Sequence, residues 1–322
     1  MTPLIELDHV THRFPLSRRQ VVHAVEDVSL TLEAGQTLAV VGESGCGKST
    51  LARLAVGLLT PTAGRVRISG APAGPAMDRT ARRDVQFVSQ NPWSALNPRK
   101  TIGHSIGLPL LVHGLCRSKG ERAERVAELL EQVGLPADYA ARRPGGISGG
   151  ELQRATVARA LAAGPKAVVL DELTASLDAG VKATVVNLLL DLRESLGLGY
   201  ILITHELDMA RHLATRVAVM YLGRIVEQGP AEQIFDSPRH PYTRTLLAAV
   251  PVPDPARRQL IALPGEVPSA VHPPPGCAFH PRCPYAAAAC RGEVPVLIEP
   301  KGLAGRQSAC LRDQEISHAA RG

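Results

Sequence analysis

The sequence predicts an α/β protein in which helices cover a central sheet. Aromatic residues make up only 3% of its 322 residues, and the apolar content comes from Ala, Val and Leu, which suit helices packed on a parallel sheet. Continuous apolar runs recur along the chain, as they do in strands that are buried on both faces. The expected strands of the sheet are residues 38–41, 85–88, 167–170, 200–203 and 217–220.

Two smaller parts are expected beside this sheet. Residues 4–10 and 28–32 alternate apolar and polar side chains, which is typical of half-buried strands and predicts an antiparallel β-subdomain. A helical subdomain is expected as an insert over about residues 103–163, with one helix beginning near Glu121. Its apolar face repeats at i, i+3, i+4 and i+7, at Val126, Leu129, Leu130 and Val133.

The composition changes after residue 250. Eight prolines in residues 251–276 exclude a continued helix and predict an extended connector. Four of the six cysteines follow it. We therefore expect a first domain over residues 1–250, and a Pro-rich linker with a small Cys-rich C-terminal appendage over residues 251–322.

A glycine-rich loop follows the first apolar run and opens a predicted helix over residues 50–59. It fits the pattern G-x-x-x-x-G-K-[ST], which binds phosphate in this strand-loop-helix context. Glycines let backbone N–H groups approach the phosphates, and the helix adds its positive N-terminal end. Lys48 is expected to contact the β- and γ-phosphates, and Ser49 to bind Mg²⁺. The candidate residues are Gly42, Glu43, Ser44, Gly45, Cys46, Gly47, Lys48, Ser49 and Thr50.

An acidic pair ends the apolar run at residues 167–170. Asp171 is the candidate second ligand of Mg²⁺, and Glu172 is the candidate general base that polarises the attacking water. An acidic pair at the end of a strand is commonly structural. The glycine-rich loop elsewhere in the chain makes the catalytic interpretation the better one.

The segment ISGGE at residues 147–151 resembles the signature motif of ABC ATPases, the ATP-hydrolysing subunits of ABC transporters. Further motifs of this family occur in the family's order over residues 1–250. They are Gln90 (Q-loop), Ser176, Leu177 and Asp178 (D-loop) and His205 (switch histidine). The resemblance implies a P-loop NTPase core of RecA-like type that binds ATP and Mg²⁺.

The resemblance also implies roles for individual residues. Gln90 is expected to sense Mg²⁺ and the γ-phosphate, and His205 to contact the γ-phosphate and orient water with Glu172. Phe14 would stack on adenine in place of the family's usual tyrosine. In this family the signature faces the ATP that a second ABC ATPase subunit holds, so the nucleotide site is composite. Its remaining candidate residues are Ser148, Gly149, Gly150 and Asp178.

A closer resemblance is to the ATP-binding subunits of oligopeptide/dipeptide importers, on residues 42–53, 90–99, 239–247 and the C-terminal region over 235–310. It implies uptake of short peptides, a heterodimer with a related ATPase, two membrane permease subunits and an extracytoplasmic solute-binding protein. The chain would then be peripheral on the cytoplasmic face of the membrane. An importer of nickel or another small solute is the alternative.

Another class of function is a soluble ABC ATPase that acts on nucleic acid or the ribosome. A net charge of +6 would suit it, but the basic residues are spread along the whole chain. Such proteins also carry long coiled coils or a second ATPase cassette, and the sequence shows neither. No nucleic-acid partner is therefore expected.

The four C-terminal cysteines are Cys277, Cys283, Cys290 and Cys310. Disulfides rarely persist in a reducing cytoplasm, whereas four thiolates bind zinc well. The spacing C-x₅-C-x₆-C-x₁₉-C is wider than the usual zinc knuckles. The importers that share the segment GCAFHPRCPYA are thought to hold a four-iron four-sulfur (4Fe-4S) cluster, so the resemblance implies this cluster, with zinc as the alternative.

Overall fold

The fold was analysed in a computed structural model, which describes residues 2–175, 177–249, 265–300 and 304–319. The strands are β1 (Ile5–Pro15), β2 (Val21–Leu32), β3 (Thr37–Val41), β4 (Ala63–Ile68), β5 (Ala71–Pro72), β6 (Val85–Val88), β7 (Ala167–Asp171), β8 (Gly199–Thr204), β9 (Arg216–Tyr221), β10 (Arg224–Pro230) and β11 (Gln307–Ser308). The helices are α1 (Lys48–Ala55), α2 (Arg79–Asp84), α3 (Pro92–Ala95), α4 (Ile102–Val112), α5 (Lys119–Gln132), α6 (Gly149–Leu161), α7 (Ala179–Leu196), α8 (Leu207–Leu213), α9 (Ala231–Asp236), α10 (Pro241–Ala248) and α11 (Asp313–Ala319).

The central sheet has the strand order β11-β10-β9-β3-β8-β7-β6. The five strands from β9 to β6 are parallel, and they are the five that the apolar runs predict. Strand β3 shows why these runs are continuous. Leu38 and Val40 point into one hydrophobic core, whereas Ala39 and Val41 point into the core on the opposite face. Both faces are covered, so every position of the run from residue 38 to residue 41 is apolar.

The second sheet is antiparallel, with the order β2-β1-β4-β5. It confirms the β-subdomain that the alternating segments predict. Its strands are longer than expected, because β1 continues to Pro15 and β2 begins at Val21. Apolar side chains of β1 and β2 pack with α1 in the core that contains Leu38 and Val40, next to the central sheet.

Helices α4, α5 and α6 lie within the region where a helical insert is expected. Helix α5 buries Val126, Leu129 and Leu130, as the spacing predicts. It begins at Lys119, slightly before Glu121, because the Ser118 side chain accepts a hydrogen bond from the Glu121 N–H and caps the helix.

Helix α1 is shorter than the sequence predicts. It ends at Ala55, whereas the apolar pattern continues to residue 59. Gly57 has a φ of 71°, a left-handed conformation that ends helices and favours glycine. The N–H of Leu58 then donates to the Arg53 carbonyl at 2.9 Å. Leu58 and Leu59 therefore follow the helix.

The C-terminal region differs from the expected appendage. Strand β11 extends the central sheet by pairing antiparallel with β10. Next to it, Arg306 donates to Glu227 at 2.6 Å, and both side chains are almost completely buried. A sheet edge and a buried carboxylate both need partners, which explains why this region packs onto the central sheet. Of the linker predicted over residues 251–276, residues 251–264 lie outside the described residues.

None of the helices in the described ranges combines the length and the apolar character that crossing a membrane requires.

Candidate functional site

The candidate residues meet where the parallel strands end. The phosphate loop follows β3, Gln90 follows β6, Asp171 ends β7 and His205 follows β8. Because the carboxyl ends of parallel strands lie at one edge of a sheet, residues far apart in sequence come together there. This edge is the candidate active site.

Two glycines of the phosphate loop lie against other backbone segments. A Cβ atom on Gly42 would lie 2.2 Å from the Met220 carbonyl oxygen, and one on Gly47 would lie 2.0 Å from the Ala24 carbonyl oxygen. Both have φ values that favour glycine, 158° and 109°. No larger residue would allow the loop to keep this course.

Lys48 reaches back along the phosphate loop. Its Nζ donates to the carbonyl oxygens of Gly42 and Glu43, at 2.8 and 2.9 Å. The side chain is 5% exposed. The ammonium is therefore held inside the loop, at the position from which a lysine of this motif contacts the phosphates of a nucleotide.

Ser49 and Asp171 form the candidate Mg²⁺ site. The Ser49 hydroxyl donates to Asp171 Oδ1 at 3.0 Å. Both groups supply oxygen, the ligand that Mg²⁺ prefers, so the residues fit the ion. Burial raises the pKa of Asp171, and the hydrogen bond from Ser49 opposes that rise. A cation at this point would favour the ionised carboxylate.

Glu172 is held from two sides. Gln90 Nε2 donates to its Oε2 at 2.6 Å, and the His205 ring nitrogen Nδ1 lies 3.1 Å from its Oε1. Glu172 has a φ of 47°, which is unusual for a residue with a side chain. Strained backbone of this kind concentrates at functional sites. The carboxylate has the orienting contacts that a general base needs.

The signature segment begins α6. The Ser148 N–H donates to Glu151 Oε2 at 2.8 Å, and the Glu151 N–H donates back to the Ser148 hydroxyl, which forms a capping box. The hydrogen bond from Tyr139, followed by those from Ser148, lowers the pKa of Glu151 to about 2. Ser148 itself is exposed.

The structure does not bring the signature to the chain's own phosphate loop. In the part of the chain that is described, no hydrogen bond joins Ser148, Gly149 or Gly150 to that loop. Asp178 caps α7 by accepting from the Val181 N–H at 3.0 Å. Ser176, the other polar residue of the predicted D-loop, lies outside the described residues.

Phe14 lies near the end of β1 and is 37% exposed. Its ring meets that of His12 edge to face, with the centroids 4.5 Å apart. An exposed aromatic face can stack on a base. The adenine-binding role of Phe14 stays a prediction.

Sequence reasoning missed two residues that contact the phosphate loop. Tyr242 accepts a hydrogen bond from the Glu43 N–H at 2.9 Å, and Arg282 donates to both oxygens of the Glu43 carboxylate. Tyr242 lies in the segment 239–247 and Arg282 in the segment 276–286, and both segments resemble the peptide importers. That resemblance was the available signal, but it gave neither residue a role.

All four C-terminal cysteines line one small cavity, together with Phe279 and His280. They are free thiols. Within the described ranges, however, no three His, Cys, Asp or Glu side chains form a group that could hold a metal ion. Burial raises the pKa of Cys310 to about 12, and it also raises the pKa values of Cys277 and Cys283. The donors suit a thiolate site, but they are not arranged tightly around one ion.

The phosphate loop, the Ser49–Asp171 pair and Glu172 at one sheet edge define the chain as a P-loop nucleoside triphosphate hydrolase. Comparison with known families narrows this class. Residues 25–175 match the family described as ABC transporter, and residues 226–290 match the family described as oligopeptide/dipeptide transporter, C-terminal region. The chain belongs to the ABC transporter ATPases, in the group that carries the oligopeptide/dipeptide C-terminal region.

Individual relatives agree with this assignment. A probable peptide ABC transporter ATP-binding protein of Sinorhizobium fredii is 49% identical over 317 residues, which cover 95% of this chain and 89% of the relative. A di/tripeptide transport ATP-binding protein of Pseudomonas aeruginosa is 49% identical over 300 residues, covering 92% of this chain and 91% of that protein.

Among solved structures, the ATP-binding cassette MJ0796, in a dimeric post-hydrolysis state with ADP and phosphate, is 29% identical with a TM-score of 0.64. The match covers 70% of this chain and 98% of the cassette. The chain is therefore an ABC-type ATPase.

Proposed function

We propose that this chain hydrolyses ATP to drive the uptake of short peptides through a membrane permease. The observation that carries the ATPase part is the convergence of Lys48, Asp171 and Glu172 at one sheet edge. The peptide part is supported by relatives whose names state peptide transport and by the C-terminal region that this chain shares with them.

Each residue of the site has a distinct task in this proposal. The phosphate loop and Lys48 bind the phosphates, and Ser49 and Asp171 hold Mg²⁺, which neutralises charge that develops on them. Glu172 accepts a proton from the attacking water. Gln90 and His205 keep the carboxylate oriented, through contacts of 2.6 and 3.1 Å.

A second ATPase subunit completes the site. The exposed N-terminus of α6 at Ser148 can receive anionic phosphate, and among the described residues no hydrogen bond joins it to the phosphate loop of its own chain. We infer that it faces the ATP of the partner. In this importer group the partner is commonly a related but different chain, so a heterodimer is the form we propose.

The permease would dock beside Gln90, on the cytoplasmic face of the membrane. Trp93 lies in α3, shortly after Gln90 in the chain, and is 51% exposed. Leu108 and Leu111 of α4 are 44% and 61% exposed, and they line a groove between α4 and α5. Large apolar side chains around a groove suit the helix of another protein. A separate extracytoplasmic protein would select the solute.

Reconstitution tests this function. The chain would be assembled with its partner ATPase and permeases in proteoliposomes, and uptake of a labelled dipeptide would be measured with a solute-binding protein present. We expect ATP-dependent uptake that Lys48→Ala abolishes. ATP-dependent accumulation of nickel without any peptide uptake would instead support the small-solute alternative.

We also propose that the four cysteines hold a 4Fe-4S cluster. Support comes from the single cavity that all four line, and from a spacing wider than one zinc ion requires. The cluster would act as a structural staple for a region with little regular structure. No step of ATP hydrolysis depends on it.

Metal analysis tests the cluster. Anaerobically purified protein should absorb near ~400 nm, as thiolate-bound clusters do, and should contain iron and sulfide. Cys283→Ser should lose both signals, whereas Cys116→Ser, a change in the helical insert, should keep them. Colourless protein with one zinc per chain would refute the cluster. Metal-free protein would refute both the cluster and zinc.

A further inference from the structure

An arginine 239 residues further along the chain contacts Glu43 of the phosphate loop. Arg282 ends a short 3₁₀ helix, His280–Arg282, in the C-terminal region. Its Nη1 donates to Glu43 Oε2 at 2.8 Å and its Nη2 to Glu43 Oε1 at 3.1 Å. The guanidinium and the carboxylate therefore meet in a two-bond fork, the strongest form of this ion pair.

The pair is sheltered from water. The Arg282 side chain is 4% exposed and that of Glu43 is 20% exposed. The Tyr221 hydroxyl lies 3.4 Å from Arg282 Nη1. The hydrogen bonds to Glu43 raise the pKa of Arg282 above its ordinary value. Sheltered charges interact more strongly than exposed ones, and salt screens them less.

The surrounding packing holds this contact in place. Tyr221, Tyr242 and Phe279 form an aromatic cluster, with ring centroids 4.6 to 5.4 Å apart, and each ring is at most 1% exposed. Tyr242 also accepts from the Glu43 N–H. Glu43 is thus held through its backbone and its side chain by residues outside the phosphate loop.

The charge of Glu43 has a consequence for the ligand. A carboxylate in a phosphate-binding loop opposes the binding of a polyanion, unless a cation compensates it. Arg282 is the cation that contacts it. Lys48 binds the Glu43 carbonyl rather than its carboxylate.

We propose that Arg282 is a positioning residue of the nucleotide site, which neutralises Glu43 and thereby keeps the phosphate loop attractive to Mg-ATP. The C-terminal region is then part of the ATP site, in addition to any role of its cysteines. The proposal rests on ATP binding at the phosphate loop, which Lys48→Ala tests separately.

A double-mutant cycle on the full chain tests this. Mg-ATP binding would be measured by calorimetry at low salt for the wild type, Arg282→Gln, Glu43→Gln and the double variant. Arg282→Gln should raise Kd about five- to tenfold, as expected for one uncompensated charge near the phosphates. Glu43→Gln should shift Kd in the opposite direction, towards tighter binding, because the Arg282 charge is then no longer compensated by a carboxylate. The double variant should return to within about twofold of the wild type, because no bare carboxylate remains.

Three further measurements separate charge from folding. Arg312→Gln removes an arginine of the same region that pairs with Glu315 instead, and its Kd should not change. Arg282→Lys should fall between the wild type and Arg282→Gln, since it keeps the charge but loses the fork. The defect of Arg282→Gln should shrink in ~1 M salt, where the Debye length is about 3 Å.

Two results would overturn the proposal. One is an unchanged Kd in Arg282→Gln. The other is a double variant that binds as weakly as Arg282→Gln, because a loss that Glu43→Gln does not repair would reflect disturbed packing and not charge. If wild-type protein fails to bind ATP at all, the proposed ATPase function fails instead.

Discussion

The phosphate loop and the C-terminal region are held in different ways. The loop lies between β3 and α1, and its lysine is bound by carbonyls of the same loop. In its described residues, 265–300 and 304–319, the C-terminal region contains only short 3₁₀ helices, the two-residue β11 and α11. It is fixed by contacts with distant residues, including the ion pairs of Arg306 with Glu227 and of Arg239 with Asp313.

This difference predicts different responses to mutation. Apart from the contacts of Glu43 with Arg282 and Tyr242, the phosphate loop is held through its backbone on a buried sheet, so changes in its side-chain chemistry should not unfold the chain. A region fixed by buried ion pairs is sensitive to the loss of one partner, because the other charge is left buried and uncompensated. We therefore expect substitutions at the nucleotide site to lower activity with little effect on stability. Substitutions of the buried ion pairs of the C-terminal region should lower stability instead.

The largest effect is expected from Glu172→Gln. It removes the proposed base and keeps a side chain of the same shape, so ATP hydrolysis by the assembled transporter should fall about 10²- to 10⁴-fold. Nucleotide binding and the unfolding midpoint should be retained. A steady-state phosphate-release assay measures the loss, and wild-type turnover in this variant would contradict the role of Glu172. Lys48→Ala is the contrast, since it should weaken binding itself.

A smaller effect, on stability, is expected from Arg306→Met. Glu227 is fully buried and also accepts from the N–H groups of Arg239 and His240. Breaking the pair should lower the free energy of unfolding by about 3–5 kcal/mol, measured by denaturant titration.

The matched control for Arg306→Met is Arg211→Met. It breaks an ion pair with Asp236 in which both side chains are more than half exposed, so the change should be about 1 kcal/mol or less. Adding Glu227→Gln to Arg306→Met should recover part of the loss, because the buried charge is then removed. Equal losses in Arg306→Met and Arg211→Met would show that burial of the pair does not matter.

The smallest effect concerns the signature helix and pH. The folded-state pKa of Glu151 is about 2, below the ordinary value of 4.5. Its ionised form therefore stabilises the fold above pH 4.5, and this contribution is lost as the pH falls towards 2. Glu151→Gln should cost about 1 kcal/mol or less at neutral pH, and the difference from the wild type should vanish near pH 2. A difference that grows on acidification would contradict this.

Where structure depends on neighbouring residues, sequence reasoning predicted the fold well, and the structure brings the candidate site residues to one sheet edge. The five parallel strands, the glycine-rich loop and the Asp171–Glu172 pair all depend on neighbouring residues and on a simple pattern. Strand ends of a parallel sheet then bring Gln90 and His205 to Glu172 without further information. The predicted length of α1 was wrong, because Gly57 has a left-handed conformation and ends the helix before the apolar pattern ends.

Where contacts are distant, sequence reasoning did not predict the arrangement. The sequence indicates no partner for Glu43, because the fork from Arg282 joins segments 239 residues apart. The pairing of β11 with β10 also cannot be predicted from the sequence, since a two-residue strand is too short to show an alternating pattern.

Strand β10 has an evolutionary consequence. The C-terminal family match begins at residue 226, inside β10, although that strand belongs to the central sheet of the ATPase. Glu227 lies within this match, which ends at residue 290, whereas its buried partner Arg306 lies beyond that end. Gene recombination that exchanged only the sequence after residue 250 would separate the two. An exchange that preserves this ion pair must therefore include β10, so the segment that is inherited as one piece begins within the ATPase sheet.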